Sequence, residues 1–175
     1  MIDKKSETEA EKEICEVVGR IVLMASLLDN QLNAVLVAAL SLGGKALTLA
    51  VVAALDPARK VEILKAFVTP ISNDEWKKPV LRYADGVEKV NRARNLAAHS
   101  MVIDSGGEHV LATNSVAKLL KATDRKSRAI KRVPLNTLSN ASDLALKVYK
   151  EGESVIANFG RVELERNRRG AAAQR

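Results

Sequence analysis

Aromatic residues make up only 3% of this 175-residue chain, with two Phe, two Tyr and one Trp. So little ring surface leaves Leu, Val and Ala to fill the interior, which suits helix-on-helix packing better than a β-sandwich. Cysteine occurs once, as Cys15, so no internal disulfide can form, and two histidines leave no zinc set. A continuous apolar run of about 18 residues is also missing. The longest stretches are cut by Asp29, Asn33 and Lys45, which argues against a membrane span. The opening "MIDKKSETEAEKE" is charged and lacks the apolar core of a secretory signal. These shortages point to an intracellular, cytoplasmic protein that needs no metal and no cofactor.

What is present is aliphatic and basic. The length suits one domain with a sizeable core, expected over residues 1–165, followed by a basic tail, 166–175, expected to be disordered. The net charge of +7 is unevenly spread. Residues 1–100 hold 14 Lys and Arg against 13 Asp and Glu, a net of +1, whereas residues 101–175 hold 14 against 8, a net of +6. Such asymmetry permits a polyanionic partner, although solubility alone would also account for it.

The apolar pattern predicts a mainly α fold. Ser6 and Glu9 form a capping-box signature ahead of a long amphipathic helix from Glu7 to about Leu42. Its apolar positions Ile14, Val18, Ile21, Ala25, Leu28, Leu32, Val35 and Ala39 recur at helical spacing. Gly43-Gly44 ends it, and a short apolar helix spans Lys45 to Leu55. In "DPARKVEILKAF", Asp56 is an N-cap and Pro57 sits at the first helical position, where its missing N–H costs nothing. A fourth helical region starts at Ser72-Asn73-Asp74-Glu75 and runs to about Ser100, with Pro79 expected to break or kink its first turn. Two apolar runs around Ser105-Gly106-Gly107 predict a β-hairpin at about 101–114. Residues 115–132 read as basic and irregular. A last helix is expected from about Asn136 to Phe159, with the following residues either prolonging it or fraying.

The stretch "VNRARNLAAHS", residues 90–100, sets polar groups into this pattern. With Val87 at the origin of a helical wheel, Val90, Arg94 and Ala97 fall at about 300°, 340° and 280°, which puts Arg94 within the apolar stripe. Asn95 and His99 fall at about 80° and 120° and stack as an i,i+4 pair along its edge, which Glu88 and Arg92 share. A guanidinium aimed at a core keeps its charge and must find carboxylate or carbonyl partners. The expectation is an Asp29–Arg94 pair, or an Arg94 that faces a cleft between two subunits.

Arg94, the polar Asn95 and then His99 resemble the signature motif of HEPN domains (higher eukaryotes and prokaryotes nucleotide-binding). "RNLAAHS" is close to the form common in their bacterial members. The long first helix with its acidic break at Asp29, the helix of "LDPARKVEILKAF" and the motif helix fit the same layout over residues 10–100. The resemblance implies an up-and-down bundle of four to five helices that dimerises with its motif helices near the two-fold axis. It implies a metal-independent endoribonuclease, acting as a toxin or antiphage effector, with an antitoxin protein as a further partner. Carried onto this chain, Arg94 would stabilise charge on the phosphate, Asn95 would orient the phosphate or the imidazole, and His99 would act as general acid or base, with Asp29 in support. One histidine per subunit is too few for a separate acid and base, which is a reason to expect a homodimer. Some family toxins carry a tyrosine where this chain has Met101. The alternative is a non-catalytic HEPN-like dimer that binds RNA, a nucleotide or a protein; a third reading is a structural helical protein.

Other features read more plainly. Arg92 together with Lys118, Lys121, Arg125, Lys126, Arg128, Lys131 and Arg132 could track an RNA backbone by counterion release. No aromatic residues interleave to stack bases, so a solvated loop explains the run equally well. "SLGGKAL" lacks the spacing of a phosphate loop and reads as a helix stop. His109 reads as a surface residue, Cys15 as core, Trp76 as packing over a helix junction, and the Glu7–Glu13 run as charge suited to a helix start.

Overall fold

The structure, a computed structural model, describes residues 4–42, 46–104, 109–113 and 132–173. It is mainly helical with one small sheet, in the order α1 (Lys4–Ala39), α2 (Ala46–Ala54), α3 (Pro57–Val68), α4 (Asp74–Ala98), β1 (Ser100–Asp104), β2 (His109–Thr113), β3 (Arg132–Pro134) and α5 (Asn136–Ala173). The long helices α1, α4 and α5 pack on one another, and α3 closes against α1 and α4. The Gly43-Gly44 stop and the Ser105–Gly107 turn lie outside the described residues.

The stripe read along α1 is the core seam. Ile21, Ala25, Leu28, Leu32, Val35 and Ala39 are buried, while Ile14 and Val18 pack half-buried against them. The helix begins at Lys4, so Ser6 lies within it and does not cap it. Within Glu11–Ala39 a window of 18 residues reaches a mean hydropathy of 1.6, which makes this helix long and apolar enough by composition to cross a membrane. Counting unbroken apolar runs missed this, because isolated polar residues interrupt the run without lowering the average enough. In the bundle, 44% of that window is buried.

Caps set the next two helices. Asp56 accepts the Arg59 amide at 3.0 Å ahead of Pro57, and Asn73 accepts the Glu75 amide at 2.9 Å. Each such cap contributes about 1 kcal/mol. Of the break or kink expected at Pro79, the break does not occur, and α4 continues from Asp74 to Ala98. The bond it removes would end on Glu75, an exposed residue whose carbonyl water can satisfy.

The expected hairpin forms, with Ser100 opposite Thr113 and Asp104 opposite His109. A third strand was not foreseen: Val133 pairs with Leu111 and Arg132 with Ala112, giving the antiparallel order β1-β2-β3. Three residues carry too short an alternation to be read in advance. Helix α5 runs on to Ala173, past Phe159.

Glycines set the closest helix approaches. A Cβ on Gly86 of α4 would collide with the Val148 methyls of α5, and one on Gly152 of α5 with the Gln31 amide and the Tyr83 ring. Gln31 is pinned there by donating to the Tyr149 carbonyl at 2.7 Å.

Candidate functional site

A cleft of about 500 Å³ opens between α1, α4 and the start of α3. Ser26, Asp29 and Asn30 line it from α1, Asn91, Arg94 and Asn95 from α4, and Asp56, Pro57 and Ala58 from the α3 cap. Most of these groups are polar, and two helices and a capped turn hold them on rigid backbone.

Arg94 reaches this cleft because the apolar stripe of α4 slants. Buried positions run Val80, Tyr83, Ala84, Gly86, Val87, Val90, Ala93 and Ala97. With Val80 at the origin of a helical wheel, the positions up to Val87 centre at about 330° and the last three at about 250°, so the stripe winds back by about 80° along the helix. In the last two turns Ala93 and Ala97 face the core, and Arg94 is left on the flank. Arg94 is therefore exposed, not held within the core as expected. Its Nη1 donates to Asn95 Oδ1 at 3.1 Å.

The expected Asp29–Arg94 pair does not form. Lys60 of α3 donates to both Asp29 oxygens instead, at 2.8 and 3.0 Å. The Lys60 side chain is 0% exposed and that of Asp29 30% exposed, so the pair is sealed at its cationic end and open at the cleft. An ammonium buried this deeply requires such a partner. Arg94 takes part in no ion pair among the described residues.

His99 is exposed and does not line the cleft. It is the C-cap of α4, its backbone N–H donating to the Asn95 carbonyl at 3.1 Å, and Ser100 of β1 follows it directly. The structure thus brings Arg94, Asn95 and Asp29 to one cleft, with His99 one turn beyond. Arg92 is exposed and pairs with Glu88. Glu88 also receives Lys65 at 2.9 Å, and Lys65 reaches Asp85 at 2.6 Å. Hydrogen bonds to Asp85 and Glu88 hold the Lys65 ammonium above its usual range. Those from Lys65 and Arg92 hold the Glu88 carboxyl below its own.

Lys118, Lys121, Arg125, Lys126, Arg128 and Lys131 lie outside the described residues. Cys15 is exposed and not core, because it falls off the Ile14–Val18 line. Trp76 is half-buried. Among the described residues, no group of three or more His, Cys, Asp or Glu side chains is placed to hold a metal ion.

Sequence reasoning missed Lys60, Asn30 and Asn91. Lys60 could have been noticed as a cation in register with Leu64 and Val68 on the buried face of α3. Nothing in spacing alone ties it to Asp29, 31 residues away. No protein-family model matches the chain, and no curated protein or solved structure matches it either.

Proposed function

We propose that this chain is a HEPN-like protein that cleaves RNA without a metal ion, at a site completed by a second copy of itself. The observation that carries the reading is the state of Arg94. Its guanidinium stands at a polar cleft and pairs with no carboxylate among the described residues, while Asp29, which lines the same cleft, is engaged by Lys60. A charged fork left free on a rigid helix is suited to two oxygens of a phosphodiester.

In this reading the ribose 2′-oxygen attacks the adjacent phosphorus. A neutral His99 imidazole takes the 2′-hydroxyl proton, and the protonated imidazole of the second copy gives a proton to the departing 5′-oxygen. The 2′-O–P bond forms as the P–O5′ bond breaks, leaving a 2′,3′-cyclic phosphate and a free 5′-hydroxyl. Arg94 stabilises charge on the phosphorane oxygens and Asn95 orients the phosphate. Exposed Leu23 and Leu27, next to Ser26 on α1, offer apolar surface beside the cleft for the second copy. This reading carries with it a cytoplasmic site of action, a toxin or antiphage role and an antitoxin protein as a partner.

The test is incubation of end-labelled RNA with the purified protein in excess EDTA. Cleavage to cyclic-phosphate ends is expected, and His99→Ala should abolish it with melting temperature unchanged. Cutting that persists in that variant overturns the catalytic assignment. A second reading, a non-catalytic dimer that holds RNA, a nucleotide or a protein, is favoured by the position of His99 outside the cleft. It predicts salt-sensitive retention of RNA with intact ends.

A further inference from the structure

We infer that Lys60 is a positioning residue for this cleft: by engaging both oxygens of Asp29 from the buried side, it keeps that carboxylate from neutralising Arg94 and leaves the guanidinium free for a phosphodiester. The inference rests on the proposed role of Arg94 as a phosphate-binding group.

The cleft wall carries two carboxylates, Asp29 and Asp56, and one guanidinium, Arg94. A wall of that composition would ordinarily neutralise itself, since a carboxylate matches the guanidinium fork. Both acids are already engaged. Asp56 accepts the Arg59 amide at 3.0 Å as the cap of α3. Asp29 receives Lys60 Nζ at 2.8 and 3.0 Å.

The two ends of the Asp29–Lys60 pair are unequal. Lys60 is 0% exposed and has no access to water, so its ammonium is committed to Asp29. Asp29, at 30% exposed, faces the cleft that Arg94 lines and could turn to another cation once released. Lys60→Met removes the ammonium, fills a similar volume, and leaves water and Arg94 as the competitors for Asp29. A captured Arg94 would then have to exchange Asp29 for phosphate before binding RNA.

Two measurements on full-length protein read this out. One is the side-chain Nε–Hε signal of Arg94 by NMR, without RNA. The other is binding of a labelled single-stranded RNA of about 16 nucleotides, a span a single-strand groove can engage, by fluorescence anisotropy without magnesium. In Lys60→Met the Arg94 Hε should shift and exchange more slowly, and RNA affinity should fall roughly tenfold. Adding Asp29→Asn to Lys60→Met should return both to wild-type values, a rescue that a purely structural role would not give. Lys60→Gln serves the same purpose if Lys60→Met does not fold, because its amide can still donate to Asp29 without cancelling its charge.

An unchanged Arg94 signal and RNA affinity in Lys60→Met overturn the inference. So does a double variant that binds as weakly as the single one. If Arg94→Ala binds RNA like wild type while Lys60→Met still captures Arg94 in the spectrum, the phosphate-binding reading of Arg94 falls and the ion-pair exchange stands, so the two failures are told apart.

Discussion

At the scale of single residues, burial decides which charges matter to stability and which are free for binding. Lys60 and Arg94 are cations on neighbouring helices with opposite circumstances, one sealed against Asp29 and the other exposed at the cleft. Asp29→Ala strands an ammonium that water cannot reach, and should lower unfolding free energy by about 3–5 kcal/mol. Lys60→Met leaves behind a carboxylate that can still be hydrated, so its cost should be clearly smaller. Arg94→Ala removes an exposed side chain and should change stability by less than about 0.5 kcal/mol. Urea titrations of the three variants check the order, and a marked loss in Arg94→Ala would mean that Arg94 is structural. The helical wheel put Arg94 on the buried side because it assumed a straight stripe through Val87, Val90 and Ala97. Ala93, which that stripe did not include, is what takes the core position.

At the scale of elements, the helix crossings and the α3–α4 link carry separate predictions. Substituting Gly by Ala within a helix gains up to about 1 kcal/mol, whereas forcing a methyl into a filled site costs about 1–3 kcal/mol. At Gly160 nothing lies within 4 Å of the added carbon, so the gain should prevail and Gly160→Ala should raise the urea midpoint. At Gly152 the obstacles are Gln31, pinned to the Tyr149 carbonyl, and the fully buried Tyr83 ring. Gly152→Ala should therefore lower the midpoint, by α5 separating from α1 and α4. The link between α3 and α4 depends on pH instead. Lys65 and Arg92 hold the Glu88 carboxyl below its usual range. The stabilisation this gives is complete above the ordinary carboxylate range and is lost as pH falls through the depressed value. Lys65, held high, keeps its own contribution at neutral pH and loses it only in strong base. Melting temperatures of wild type and Glu88→Gln should differ slightly at neutral pH and converge in acid.

At the scale of the whole molecule, what could be read beforehand depended on how local the cause was. The α1 seam, the Asp56-Pro57 start of α3 and the β1–β2 hairpin each follow from periodicity or a cap within a few residues, and all are present. The Asp29–Lys60 pair, the close approaches at Gly86 and Gly152, and the addition of β3 to the sheet join distant parts of the chain and left no local pattern. The charge distribution is also a whole-chain property, and it bears on how RNA would be held. Residues 1–100, which include the Arg94 cleft, are nearly neutral, while Lys118, Lys121, Arg125, Lys126 and Arg128 belong to the basic half. If both regions contact one RNA strand, they should separate by salt. Each lost phosphate contact lowers the slope of log affinity against log salt by about 0.7 for a single strand. Replacing those five cations with Gln should flatten the slope by up to about 3.5 and weaken binding most at low salt. Arg94→Ala should flatten it by less than about 1, yet still lower affinity at high salt, where a directed bidentate contact persists after diffuse attraction is screened. Binding isotherms at four or more salt concentrations measure both. An unaltered slope in the five-fold variant would mean that the basic half serves solubility and that the cleft binds alone.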